Sequence, residues 1–234
     1  MDDKLKELEE KIGYTFQDKM LLKQALTHSS YANEQKINKH RDYERLEFLG
    51  DAVLELVSSE FMYKEYPDLP EGKLTKLRSS IVCEPALAFC ARAFSLEQYM
   101  YLGKGEEATG GRSRDSIVSD VMEATIGAVY LDSGLEEARK YIYRFVLSDL
   151  EHKQLFYDAK TILQEMIQQD NEGTLSYELI REEGPEHAKA FVVEARVNGK
   201  TVGSGKGHSK KAAEQQAAYE VILKRKQQTA TVKK

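Results

Sequence analysis

Cysteine is almost absent from this chain of 234 residues. Cys83 and Cys90 stand seven apart and could share one helix face, but two thiols make neither a disulfide framework nor a metal site. They read as reduced and buried. No apolar run approaches the roughly 18 residues needed to span a bilayer, so no membrane partner is expected. Residues 1–10 alternate charge around two leucines and lack the apolar stretch of a signal peptide, so the expected location is cytoplasmic. A Ser/His/Asp triad, a Walker loop, zinc-ligand spacing and internal repeats are also missing. What remains is a globular composition, 41% hydrophobic and 31% charged, long enough for one large domain or two small ones.

The net charge of −5 argues at first against a nucleic-acid partner. It is unevenly spread. Residues 158–234 carry 13 Lys+Arg against 11 Asp+Glu, net +2, which leaves 21 against 28, net −7, for residues 1–157. An acidic segment joined to a mildly basic one is the pattern to explain.

Residues 1–152 read as an all-α domain. Helices are expected at Met1–Ile12, Asp18–Thr27, Tyr43–Tyr63, Glu71–Val82, Glu84–Ala93, Ser116–Ser133 and Leu135–Glu151. A charged, glycine-rich loop is expected at Tyr101–Ser116, and Gly134 stops the helix before it. The character changes near Lys153, and 153–158 reads as a linker. Beyond it come a helix at Thr161–Gln169, strands at Leu175–Glu183, Ala188–Val197 and Thr201–Lys206, and a helix at Lys210–Lys224 capped by Ser209. Asn198-Gly199 signals a two-residue hairpin. Residues 159–227 are thus an α+β domain of order αβββα, with both helices on one sheet face. Residues 228–234 read as a disordered tail.

Chemistry concentrates in Tyr43–Tyr63. Glu44, Glu47 and Asp51 lie at i, i+3 and i+7, within roughly 60° of each other around the helix, while Leu46, Leu49, Val53 and Leu56 fall on the other side. Acids that share a face repel by some tenths of a kcal/mol per pair, a cost a cation removes. Asp120 and Glu123 repeat the i, i+3 pattern inside the otherwise apolar Val118–Val129. Gly50 and Gly127 each cost about 1 kcal/mol in a helix interior relative to Ala. They permit close backbone approach, which would bring the two acid sets together. Oxygen-only ligands suit Mg²⁺, with Mn²⁺ as a substitute. Such ions polarise a phosphodiester and lower the pKa of an attacking water. Phe48 lies about 100° round from Glu47, off the leucine face. An aromatic outside its own core suggests a partner surface.

The run Glu44-Arg45-Leu46-Glu47-Phe48-Leu49-Gly50-Asp51-Ala52-Val53 resembles the signature of the ribonuclease III family. The likeness extends through Ala25–Tyr31, Gly72–Arg78 and Ser119–Asp132. Met122 stands where an aromatic is more usual, and Ser119 where Ala is. The resemblance implies a Mg²⁺-dependent endoribonuclease that cuts double-stranded RNA to 5′-phosphate and 3′-hydroxyl ends, in ribosomal RNA precursors and other structured transcripts. It implies Glu47, Asp51, Asp120 and Glu123 as metal-binding catalytic acids and Glu44 as a supporting acid. It also implies a homodimer with Phe48 at the two-fold seam. The alternative is a non-cleaving double-stranded RNA-binding regulator, which loss of one of the four acids would have signalled; all four are present. An acidic interaction module unrelated to RNA is a third reading, separated by salt-dependent duplex binding.

At the other end, Lys210 and Lys211 stand at a helix N-terminus, where N–H groups and the helix dipole already favour phosphate. Ser209-Lys210-Lys211-Ala212-Ala213-Glu214-Gln215 closing an αβββα pattern resembles a double-stranded RNA-binding domain, a module that reads A-form shape. By that resemblance Thr161, Gln164, Glu165 and Gln168 lie on the first RNA-contacting helix, and His187 sits in the minor-groove loop. The remaining histidines, His28, His40, His152 and His208, read as structural or surface residues.

Overall fold

The computed structural model describes residues 3–36, 41–150, 159–184, 189–207 and 209–232, with the side chains of the last helix given as far as Lys226. The chain divides into two units, Met1–Leu150 and Glu151–Lys234.

The first unit is helical: α1 (Asp3–Ile12), α2 (Lys19–Ala25), α3 (Ser29–Glu34), α4 (Glu44–Glu65), α5 (Glu71–Val82), α6 (Glu84–Arg92), α7 (Lys104–Ala108), α8 (Asp115–Ser133) and α9 (Leu135–Ile142). Its core centres on α8, where Val118, Val121, Met122, Ala124, Ile126, Ala128 and Val129 are fully buried. A helix apolar on nearly every side belongs in the middle of a bundle, and α4 and α6 pack against it. Met122 is fully buried in that core, and Ser119 satisfies its buried hydroxyl on the Ser116 carbonyl at 2.8 Å.

Several expectations need correction. Residues 29–34 form α3, where no helix was expected; the His28 ring caps it by accepting from the Ser30 N–H at 3.1 Å. The loop at Tyr101–Ser116 contains α7 and a 3₁₀ turn at Gly111–Ser113. The helix expected to reach Glu151 ends as α9 at Ile142 and continues as a π-helical turn, Tyr143–Leu147, before Asp149 turns to φ +54°. Leu56, placed with the leucine face by its spacing, is 56% exposed.

The second unit is α10 (Ala159–Gln169), β1 (Leu175–Glu183), β2 (Ala190–Val197), β3 (Lys200–Gly207) and α11 (Lys210–Val232). The strands form one antiparallel sheet in the order β1-β2-β3. Asn198 and Gly199 take φ +49° and +78°, as the tight β2–β3 hairpin demands. Leu163 and Ile167 of α10 share one core with Ala195 and Val197 of β2 and with Ala217, Val221 and Ile222 of α11, so both helices cover the same face. Helix α11 runs past Lys224 to Val232, so the ending expected to be a disordered tail is helical through residues 228–232. No glycine or proline interrupts it after Gly207. The 153–158 linker, His187, His40, His152 and His208 lie outside the described residues.

Candidate active site and nucleic-acid interface

The acids of α4 and α8 come together because two glycines let the helices touch. A Cβ on Gly50 would stand 1.8 Å from the Glu123 carbonyl oxygen, and one on Gly127 would stand 2.2 Å from the Leu46 carbonyl oxygen. Any side chain at either position would drive the backbones apart. At that crossing, one carboxylate oxygen from each of Glu47, Asp120 and Glu123 lies within 4.8 Å of the others.

Asp51 and Glu44 are exposed and lie outside this tightest group. Their charges still act on it. Burial first, then Asp120, Glu44 and Asp51, push Glu47 up to about 7. Burial, then Asp51, Glu47, Asp120 and Glu55, push Glu123 up to about 8. Burial also raises Asp120, opposed by a hydrogen bond from Tyr43 and the nearby His28. Carboxyls that resist ionisation side by side form a site short of positive charge. Oxygen-only donors at this spacing fit a hard divalent cation, the Mg²⁺ or Mn²⁺ class.

Sequence reasoning passed over two residues here. Tyr43, the N-cap of α4, donates its hydroxyl to Asp120 Oδ2 at 3.1 Å. Burial, then Asp120, raise its phenol far above the usual range, so it stays a protonated donor. Glu55 adds to the field on Glu123. Its spacing of four from Asp51 continued the acidic face and was the available signal.

Phe48, next to Glu47 in the chain, is 81% exposed, and Leu56 and Tyr63 are exposed on the same helix. None of the three belongs to the core of the unit.

In the second unit, Thr161, Glu165 and Gln168 are exposed on the side away from the buried Leu163 and Ile167, and Gln164 is half-buried between the two faces. Lys210 and Lys211 are exposed in the first turn of α11. Ser209 caps that turn by accepting from the Ala212 N–H at 3.1 Å. Lys210 is partly neutralised: its Nζ lies 3.9 Å from Glu182 Oε1, while Lys189 Nζ lies 2.5 Å from Glu182 Oε2. Both lysines stand 5.9 Å from the Phe191 ring. No spacing rule joins Glu182 on β1 to Lys210 on α11.

Comparison with known proteins gives concordant matches for the two units. The Ribonuclease-III-like family profile matches residues 18–150, and the Double-stranded RNA binding motif matches residues 159–225. Ribonuclease 3 of Bacillus cereus (strain G9842) is 49% identical over 225 residues, covering 95% of this chain and 92% of that protein. Ribonuclease 3 of Caldanaerobacter subterraneus subsp. tengcongensis is 50% identical over 220 residues, 93% of this chain and 96% of that one. Among solved structures, the nuclease domain of ribonuclease III from Campylobacter jejuni superposes with a TM-score of 0.56 at 40% identity. It covers 60% of this chain and 94% of that domain, and is described as structurally flexible in a region involved in dimer formation.

Proposed function

The chain belongs to the ribonuclease III family, and from that premise we propose that residues 1–152 are its endonuclease domain and 159–227 its double-stranded RNA-binding domain. It is an endoribonuclease acting on double-stranded RNA. Glu47, Asp51, Asp120 and Glu123 are the catalytic acids, with Glu44 supporting them. The observation that carries this reading is the convergence of Glu47, Asp120 and Glu123 at the Gly50–Gly127 crossing.

The acids are arranged to bind Mg²⁺, and Mn²⁺ in its place. When bound, the ion supplies positive charge to the phosphodiester and lowers the pKa of the attacking water. Glu47 and Glu123, raised first by burial and then by the neighbouring acids, give up protons as the site fills, because a cation offsets both the lost hydration and the like charges. Asp51 and Glu44, exposed at the rim, are accessible from solvent. Water adds to phosphorus, the bond to the 3′ oxygen breaks, and the products carry 5′-phosphate and 3′-hydroxyl ends. Thr161, Gln164, Glu165, Gln168, His187, Lys210 and Lys211 contact the duplex. Two chains form a homodimer through Phe48, each cutting one strand. Substrates are ribosomal RNA precursors and other structured transcripts, met in the cytoplasm.

The test is cleavage of a long RNA duplex by wild type and Glu123→Gln, in Mg²⁺ and in Ca²⁺. Wild type should cut in Mg²⁺. The variant should bind the duplex as well in Ca²⁺ but cut at least about 100-fold more slowly in Mg²⁺. A wild type that binds and never cuts in Mg²⁺ or Mn²⁺ would return the binding-only regulator. A variant as fast as wild type would remove Glu123 from the site.

A further inference from the structure

We propose that Tyr43 is a positioning residue for the acid site, holding the Asp120 carboxylate in place through its hydroxyl, with His28 bracing the ring from behind. The inference rests on the reading of the acids as a cation site.

Tyr43 joins three parts of the first unit. Its backbone N–H donates to the Thr27 carbonyl at 2.9 Å. Its carbonyl accepts from the N–H groups of Leu46 at 2.8 Å and Glu47 at 2.9 Å, which starts α4. Its side chain, only 4% exposed, crosses to α8 and donates to Asp120 Oδ2 at 3.1 Å. One residue therefore fixes the backbone beneath Glu47 and the side chain of Asp120, two of the three acids that converge. A carboxylate has two oxygens. With Oδ2 held by a phenol, Oδ1 and the remaining lone pair of Oδ2 are left to face a cation.

The ring is held in turn. The His28 imidazole lies against it with centroids 5.7 Å apart and planes tilted by 58°. His28 Nδ1 accepts from the Ser30 N–H at 3.1 Å and lies 2.7 Å from Ser30 Oγ. Ser30 Oγ also accepts from the Gly103 N–H at 2.9 Å. That gives the Thr27-His28-Ser29-Ser30 stretch a role the acids alone left unassigned: it seats the ring whose hydroxyl orients Asp120. Groups that hydrogen-bond a ligand from outside typically change metal affinity by about 10- to 100-fold when removed.

Tyr43→Phe keeps the ring and its packing and deletes only the donor. Mn²⁺ binding is titrated calorimetrically on the full chain without RNA, well below the melting transition of each protein. The Mg²⁺ dependence of duplex cleavage is measured in parallel. The expected result is about 10-fold weaker Mn²⁺ binding. Duplex binding in Ca²⁺ should be unchanged, and high Mg²⁺ should restore most of the cleavage. Mn²⁺ affinity equal to wild type overturns the proposal, even if the variant melts lower, because the hydroxyl would then serve stability alone. A wild type that binds no Mn²⁺ overturns both this proposal and the cation-site reading beneath it.

Discussion

Burial first, and then the neighbouring acids, raise Glu123 to about 8 and Glu47 to about 7 against an ordinary 4.5. A carboxyl whose pKa is raised on folding keeps protons that the unfolded chain has already released, so stability falls as pH rises from 4.5 toward the folded values. The metal-free protein should therefore pay for its acid cluster at alkaline pH. Glu123→Gln, which cannot ionise, should melt close to wild type near about pH 5 and be the more stable of the two near about pH 8.5, by roughly 1–2 kcal/mol after allowing for solvent screening. Adding Mn²⁺ at the higher pH should reverse the order, since a ligand stabilises only the form that binds it. Thermal melts of the two proteins at both pH values, with EDTA and with Mn²⁺, give the comparison. An unchanged difference between the two pH values would mean that Glu123 is not strained by its neighbours.

At the scale of elements, the site depends on how closely α4 and α8 cross. Alanine at Gly127 should gain about 1 kcal/mol from helix propensity. Its methyl would meet the Leu46 carbonyl oxygen at 2.2 Å, which only backbone movement relieves. The clash wins: Gly127→Ala should be net destabilising by about 1–3 kcal/mol and should weaken Mn²⁺ binding as the acids separate. Gly72→Ala in α5 is the control, since nothing lies within 4 Å of its added methyl; urea titration of both variants makes the comparison, and Gly72→Ala should be neutral or slightly stabilising. The crossing was legible in the sequence because a glycine in a helix interior is costly enough to need a reason, and Gly50 and Gly127 each sat beside acids. The Glu71–Val82 helix and the Asn198-Gly199 hairpin were legible for equally local reasons. Helix α3 was not: six residues show no apolar period, and its start depends on the His28 ring acting as a cap. The bond from Tyr43 to Asp120 was not either, because 77 residues separate them and only the packing of α4 on α8 makes them neighbours.

At the scale of the whole molecule, the question is what covers α4 on its outer side. Phe48, Leu56 and Tyr63 are 81%, 56% and 76% exposed. With about 100° per residue they fall within roughly 80° of one another, a single apolar stripe more than four turns long. Scattered exposed apolar residues need no explanation, but large ones aligned along one helix face mark a contact surface. A second copy of the chain is the occupant that Phe48 and the family premise favour. A two-fold contact presents the same stripe from both sides, so burying Phe48 counts twice, at about 2 kcal/mol for each ring. Wild type should therefore sediment at twice the chain mass at micromolar concentration, and Phe48→Glu should shift it toward the monomer, because each dimer would then bury two uncompensated charges. The variant should keep its helical circular dichroism and its Mn²⁺ binding, since Phe48 lies outside both the core and the converging acids. A wild type that sediments as a monomer at that concentration would remove the homodimer and leave the stripe to another partner.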